Sequence, residues 1–295
     1  MTRPLGTVLV TGASGFLGRH VVARLKAEGH EPVTPSRLEM PFADSRLVAD
    51  YVRALRPDTV LHLAAEAVRS PGIADPGLVG RAVGFVETIV AALNPGARLV
   101  VSGTMAEYGT GGVLHEDMPC RPETDYARAK LAASDAALLA GPAIGIDVVV
   151  ARVFHLYGPG EPSHRLFPAV LAALGAGEPV DLSDGNQRRD VLHVADAAAG
   201  LLSLATLPTG TASTRILVNL GTGQAIRIGD VVRWLAACMG RDQALLRFGA
   251  RARSPGDHDL LVADTRRLAE LLGSAPPQRL HAAADLVDLL AGGSP

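Results

Sequence analysis

The feature that most constrains this chain is the stretch Thr7 to Gly18, TVLVTGASGFLG. Thr7-Val8-Leu9-Val10 is β-branched or aliphatic throughout and reads as a short buried strand. Thr11-Gly12-Ala13-Ser14-Gly15 cannot continue it. Beyond Gly18, residues Val21, Val22 and Leu25 recur at helical spacing, with Arg19, His20, Arg24 and Lys26 largely on the other side. The order is strand, glycine turn, helix. One glycine permits the sharp turn, one lets backbone approach a phosphate, and one lets helix and strand touch. This arrangement sets a pyrophosphate on the amino end of a helix, so a dinucleotide is expected here.

The rest of the chain repeats the alternation. Strands are expected at Glu31 to Ser36, Thr59 to Ala65, Arg98 to Ser102 and Asp147 to Val153. Helices are expected between them at Arg46 to Leu55, Val79 to Leu93 and Tyr126 to Ala140. Strands alternating with helices give an α/β fold with a parallel, doubly wound sheet. After Phe154 the character changes to glycine- and proline-rich loops and short elements. Expected there are helices at Leu166 to Leu174, Asp196 to Leu204, Ile228 to Met239 and Thr265 to Leu272, and strands at Asp190 to Val194 and Ile216 to Leu220. These form a smaller, discontinuous lobe over the carboxyl ends of the sheet, where open α/β sheets bind ligands. The expected division is residues 1–154 with 187–222 for the dinucleotide and residues 155–186 with 223–295 for the substrate.

Composition narrows the partners. The 295 residues carry a net charge of −2, which gives no electrostatic footprint for nucleic acid. The two cysteines, Cys120 and Cys238, make no disulfide framework and have no metal-ligand spacing, so a reducing cytoplasm and no metal are expected. Met1-Thr2-Arg3-Pro4 shows no apolar leader, and the longest apolar region is broken by Gly141, Pro142, Gly145 and Asp147. No membrane span is expected.

TGASGFLG, with its GxxGxxG spacing, resembles the glycine loop of the extended short-chain dehydrogenase/reductase superfamily. The resemblance extends to His62-Leu63-Ala64-Ala65, which matches the HLAA strand end bordering the cofactor, and to Tyr126-Ala127-Arg128-Ala129-Lys130, a YxxxK helix. It implies cofactor contacts from Gly12, Ser14, Gly15, Phe16, Leu17, Leu63, Ala64, Ala65, Ser102, Tyr126, Lys130 and Val153. Cofactor choice falls to the end of the second strand. A carboxylate there bonds the ribose 2′-hydroxyl, while an arginine accommodates a 2′-phosphate. The tip is Ser36-Arg37, with Glu39 two residues on, so NADP is favoured over NAD.

Tyr126 and Lys130 are four apart and share a helix face. A free phenol has a pKa near 10, and a nearby cation lowers it. The segment Ser102-Gly103-Thr104-Met105-Ala106-Glu107-Tyr108-Gly109 resembles the pattern SSxxxxYG. Aligned on Tyr108-Gly109, the catalytic hydroxyl falls at Thr104, with Ser102 the alternative. Thr104, Tyr126 and Lys130 are the expected catalytic trio, Thr104 orienting a carbonyl and Tyr126 exchanging its proton.

The second half resembles nucleotide-sugar epimerases, dehydratases and 4-ketoreductases. Arg152 to Gly160 matches RxxNxYGPG, with His155 at the Asn that meets the substrate diphosphate. Arg189 to Asp196 matches RDxxxVxD, and Arg253 with Gly256-Asp257 resembles a second arginine segment. The resemblance implies substrate contacts from Thr104, Met105, Ala106, His155, Arg189 and Arg253. The 4,6-dehydratases carry Asp-Glu after the catalytic Thr, where this chain has Met105-Ala106. An NADP-dependent 4-ketoreductase of a nucleotide-linked 4-keto-6-deoxy sugar is therefore expected. A cofactor-retaining epimerase, reduction of a small carbonyl without a nucleotide handle, and a non-catalytic cofactor-binding sensor or scaffold are the alternatives. A homodimer through the helices before the fourth strand and bearing YxxxK is also implied.

Overall fold

The computed structural model describes residues 2–66, 75–208, 214–254 and 256–274. The chain opens with β1 (Val8–Thr11), α1 (Phe16–Ala27), α2 (Ser45–Leu55), β2 (Thr59–His62), α3 (Leu78–Ala92) and β3 (Arg98–Thr104). Then come β4 (Gly112–Leu114), α4 (Asp125–Ala143), β5 (Asp147–Val153), β6 (His155–Tyr157), α5 (Leu166–Ala176), β7 (Val180–Leu182), β8 (Arg188–Arg189), β9 (Val191–His193) and α6 (Val194–Ala205). The remaining elements are β10 (Arg215–Leu220), β11 (Ile226–Arg227), α7 (Ile228–Cys238), β12 (Leu246–Phe248), β13 (Leu260–Ala263) and α8 (Arg266–Leu272).

The apolar runs at 8–11, 59–62, 98–104, 147–153 and 215–220 form one parallel sheet in the order β1-β2-β3-β5-β10. Such runs are buried on both faces, as parallel strands must be. Val8, Val10, Val100, Val149 and Ala151 pack with Val21 and Leu25 of α1 and Leu201 and Leu204 of α6. Leu9, Val60, Leu99, Val101, Val148 and Val150 point the other way, onto Val52 of α2, Phe85 and Ile89 of α3, and Ala133 and Ala137 of α4. Helices therefore cover both faces, which is the doubly wound α/β architecture.

The strand expected over Glu31 to Ser36 does not form. One parallel bridge joins Leu9 to Val33, closed by Val10 N–H to the Val33 carbonyl at 2.9 Å and Val33 N–H to the Val8 carbonyl at 2.8 Å. Pro35 lies two residues on, where the next donor toward β1 would fall, and it has no N–H. The ladder stops after one rung.

The later residues build a second core from Tyr157, Phe167, Val170, Leu174, Val231, Val232 and Leu235. A four-stranded sheet, β11-β8-β13-β4, ties them to the segment that follows β3. Among the described residues, no helix is long and apolar enough to cross a membrane.

That segment after β3 is held by a buried charge. Met105–Tyr108 is a 3-10 turn capped by Thr104, whose side chain accepts from Ala106 N–H at 3.3 Å. Glu107, fully buried, accepts from Thr104 N–H at 3.0 Å and from the Ser134 hydroxyl at 3.2 Å. Its other oxygen pairs with Arg152 Nε at 2.8 Å. The Arg152 guanidinium lies 4.4 Å from the centre of the Tyr108 ring, and the Tyr108 hydroxyl donates to Asn219 at 2.6 Å. Removing one partner of a buried pair leaves the other charge uncompensated and costs about 3–5 kcal/mol. Glu107→Gln, which keeps the shape but not the charge, is expected to lower Tm by roughly 10 °C. An unchanged melting curve would refute this role for the pair.

Candidate active site

The glycine turn has the shape that its sequence implies. Gly12 has φ +74, and a Cβ there would fall 2.6 Å from the Ala64 nitrogen. A Cβ on Gly18 would collide with the Gly12 carbonyl, so only glycine lets α1 sit this close to β1. Gly15 caps α1 with no side-chain hydrogen bond, and no acidic residue occupies the first turn. The amino end of α1 thus presents free N–H groups and a positive dipole to a groove of about 1040 Å³. Gly12, Ala13, Ser14 and Gly15 line one end of that groove, Leu63, Ala64 and Ala65 its wall, and Thr34 to Arg37 the far end. A side-chain-free cradle at a helix amino end fits a dinucleotide pyrophosphate. Phe16 and Leu17 open α1 itself, with Leu17 packed on the core and Phe16 edge-on to His20 at 5.9 Å.

Arg37 is exposed at the groove and forms no ion pair among the described residues. Glu39 lines the same groove, with its carboxylate turned back onto Ser36 N–H at 2.7 Å. That bond holds the carboxyl below its ordinary range.

The sheet register brings the next groups alongside. Thr104 pairs with Val153 across β3 and β5, and Val153 is buried there at 7% exposure. Thr124 caps α4, accepting from Ala127 N–H at 3.1 Å, which sets Tyr126 on the first turn and Lys130 on the second. The Thr104 side chain lies near enough to the Tyr126 phenol to act on it. Lys130 Nζ donates to Ser102 Oγ at 3.5 Å. Tyr126, Lys130 and Glu66 line a small cavity that shares Phe42, Ala64 and Ala65 with the large groove. Tyr126 and Lys130 therefore lie beside the cradle, with Ser102 at the lysine and Thr104 at the end of β3.

The electrostatics differ from expectation. Burial pushes the Tyr126 phenol above its ordinary value, the Glu107 charge adds to this, and Arg165 and the Thr104 side chain oppose it. The expected lowering by Lys130 is absent because the ammonium points at Ser102 and is itself buried. Burial brings Lys130 down to about 8, partly offset by Glu107. His62 is held neutral, near 3, by burial and then by Lys130, and it bonds Thr11 Oγ1 through Nδ1 at 2.8 Å.

A second pocket, of about 300 Å³, lies in the small lobe and collects His155, Arg189 and Arg253. Met105 and Ala106 lie apart from these, half-buried at the start of the 3-10 turn. Both arginines carry acid partners. Arg189 pairs with Asp257, and Arg253 with Asp184 at 2.9 Å and Asp259 at 2.5 Å. The pocket also contains Glu161, Arg165 and Gln187, which sequence reasoning passed over. The available signal was position: Glu161 and Arg165 directly follow the YGPG loop. Burial pushes Glu161 up to about 7 against Arg165, and it lowers His155 to about 4, with Arg189 and Arg165 adding to the effect. Among the described residues no three His, Cys, Asp or Glu side chains gather to hold a metal ion.

Comparison with known proteins identifies the family. The model of the NAD dependent epimerase/dehydratase family matches residues 8–221. A UDP-glucose 4-epimerase of Azospirillum brasilense is 30% identical over 91% of this chain and 87% of its own length. A dTDP-4-dehydro-6-deoxy-D-allose reductase of Streptomyces bikiniensis is 29% identical over 92% of this chain and 91% of its own. The solved structure of MoeE5 with UDP-glucuronic acid and NAD superposes with a TM-score of 0.81 at 30% identity, covering 95% of this chain and 97% of that one. The chain belongs to the NAD-dependent epimerase/dehydratase family and is an NAD(P)-dependent enzyme of the extended short-chain dehydrogenase/reductase type.

Proposed function

We propose that this enzyme reduces a keto group on a nucleotide-activated sugar, an NDP-4-keto-6-deoxyhexose, with NADP as cofactor. The observation that carries the reading is that Tyr126 and Lys130 line one cavity, which shares Phe42, Ala64 and Ala65 with the glycine-turn groove. When bound, the nicotinamide supplies a hydride to the carbonyl carbon. The Thr104 hydroxyl bonds the carbonyl oxygen and fixes its orientation. Tyr126 gives that oxygen its proton. Lys130 and Ser102 hold the cofactor side. Gly12, Ser14, Gly15, Phe16, Leu17, Leu63, Ala64, Ala65 and Val153 enclose the dinucleotide, and Arg37 receives a 2′-phosphate. Met105, Ala106, His155, Arg189 and Arg253 face the substrate. Residues 1–154 with 187–222 form the dinucleotide domain and 155–186 with 223–295 the substrate lobe, of which 275–295 lie outside the described residues. The setting is the reducing cytoplasm, in keeping with two free thiols.

Reduction is favoured over dehydration because Met105-Ala106 offers no acid after Thr104, and Glu107 is committed to Arg152. A second reading, a cofactor-retaining epimerase, is supported by Glu39, an acid in the same groove as Arg37. The homodimer reading rests on α3 and α4, where Leu139 is 69% exposed and Gly80 and Gly84 face open space.

With NADPH and a panel of dTDP-, GDP-, UDP- and CDP-linked 4-keto-6-deoxyhexoses, at least one substrate is expected to consume NADPH in preference to NADH. Tyr126→Phe is expected to cut kcat by about 100-fold or more, and Arg37→Ala to erase the NADPH preference. Silence across the panel would refute the reductase, and cofactor retained through desalting with 4-epimerisation of UDP-glucose would establish the second reading.

Lys130 also makes a pH signature. Its folded value of about 8 lies below the ordinary 10.5, so the unfolded chain binds the extra proton between these values. Stability should rise with pH across that window, and the full cost should apply below about pH 8. Lys130→Met is expected to be more stable at neutral pH by up to about 3 kcal/mol, with a flat profile above pH 8. Parallel urea-melt profiles for the two proteins would overturn this. Sedimentation at micromolar concentration is expected to give a dimer that Leu139→Arg dissociates; a monomeric wild type would end the dimer proposal.

A further inference from the structure

The helix that opens the cofactor cradle also holds a loop of the small lobe. Arg19 and His20 lie on α1, just past the glycine turn. Arg19 Nη2 donates to the Gly160 carbonyl at 2.8 Å, and His20 Nε2 lies 2.9 Å from the Pro159 carbonyl. A carbonyl only accepts, so His20 donates there. The loop has little means of holding itself. Gly158 and Gly160 have φ +139 and +78, and Pro159 and Pro162 bring no N–H. A Cβ on Gly160 would fall 2.9 Å from Arg19 Nη2, so the guanidinium lies directly against the loop. The chain then runs into Glu161, Arg165 and Leu166, which line the small-lobe pocket.

Arg19 faces two ways. It lines the dinucleotide groove together with Gly12, Ser14 and Gly15 while it reaches Gly160. It is exposed and forms no ion pair among the described residues. Holding a loop with an exposed arginine costs rotamer entropy. A dinucleotide brings phosphate charge to the amino end of the same helix, and that charge favours the rotamer that both lines the groove and reaches the loop. The cofactor thus interacts differently with the clasped and unclasped states, as a population shift requires. We infer that Arg19, with His20, is a positioning pair that clasps the 158–160 loop to the cofactor helix, so that an occupied dinucleotide groove orders the segment bearing Glu161 and Arg165 and tightens binding in the small-lobe pocket. The effect on nucleotide sugars rests on the reading above, whereas the clasp itself does not.

Two measurements test this on wild type, Arg19→Leu and His20→Leu, each with NADP at a concentration shown by calorimetry to saturate that protein. The first is hydrogen exchange of the peptide spanning residues 157–165. NADP is expected to slow exchange there by about 5-fold or more in wild type and by less than about twofold in either variant. The second is calorimetry of UDP-glucose and dTDP-glucose with and without NADP. NADP is expected to tighten at least one of them by about 5-fold or more in wild type. In the variants the affinity without NADP should stay within about twofold of wild type while the gain disappears. Wild-type exchange that ignores NADP, or variants that keep the full response, would overturn the clasp. So would variants that melt several degrees lower without cofactor and lose both ligands alike, since the pair would then be merely structural. A wild type that binds neither nucleotide sugar overturns the nucleotide-sugar reading, and the exchange measurement still decides the clasp.

Discussion

The parallel register of the central sheet is the constraint on which the site depends. Thr11 lies opposite His62, His62 opposite Val101, and Thr104 opposite Val153. Residues far apart in the chain thereby end at one edge, because every parallel pairing needs a long crossover. The glycine turn, the Leu63–Ala65 wall and the hydroxyls of Ser102 and Thr104 are neighbours for that reason alone. A slip of one residue would turn each side chain to the opposite face. Gly12 follows from the same geometry: the chain leaves β1 directly over Ala64, so a side chain there has nowhere to go.

The buried polar groups divide into two populations. Behind the cleft, Glu107, Arg152, Ser134, Tyr108 and Asn219 satisfy one another. They hold the backbone of Thr104 in place, and Ser134 and Lys130 share the helix that carries Tyr126. Toward the cleft, satisfaction fails. Lys130 keeps only a long bond to Ser102, the Tyr126 phenol is pushed up by its surroundings, and Glu161, His155 and Gln187 each hold a buried polar atom without a partner. A closed network rigidifies, and an open one costs stability unless something binds. The enzyme is rigid where it positions its hydroxyls and unsatisfied where a ligand would sit, the pattern expected when function competes with stability.

Much of this was legible in the sequence because the deciding signals are local. Apolar runs at 98–104 and 147–153 admit one reading, and the order glycine turn, hydroxyl, YxxxK, strand singled out Thr104, Tyr126 and Lys130 as candidates before any geometry. The misses have nonlocal causes. Pro35 ended a strand by lacking the one N–H that pairing with β1 required. The Tyr126 phenol moved up because its direction depends on what covers it, which helix spacing does not reveal. Arg189 and Arg253 looked like free cations, yet their partners Asp257 and Asp184 lie 68 and 69 residues away. Glu161 looked like one more loop residue until folding buried its oxygen.

His155 draws these points together. An asparagine offers both a donor and an acceptor without charge, and His155, lowered to about 4 by burial and then by Arg189 and Arg165, likewise brings no charge to the pocket. On the proposed reading, His155 adds no positive charge where the substrate diphosphate would lie. The diphosphate then needs a cation elsewhere. Arg189 and Arg253 meet it only by loosening their acids, whereas Arg165, at the amino end of α5, lines the same pocket and forms no ion pair among the described residues. On the proposed reading, exchanging one amide for one neutral ring leaves the diphosphate to the pocket's arginines, of which Arg165 is not held by an acid among the described residues.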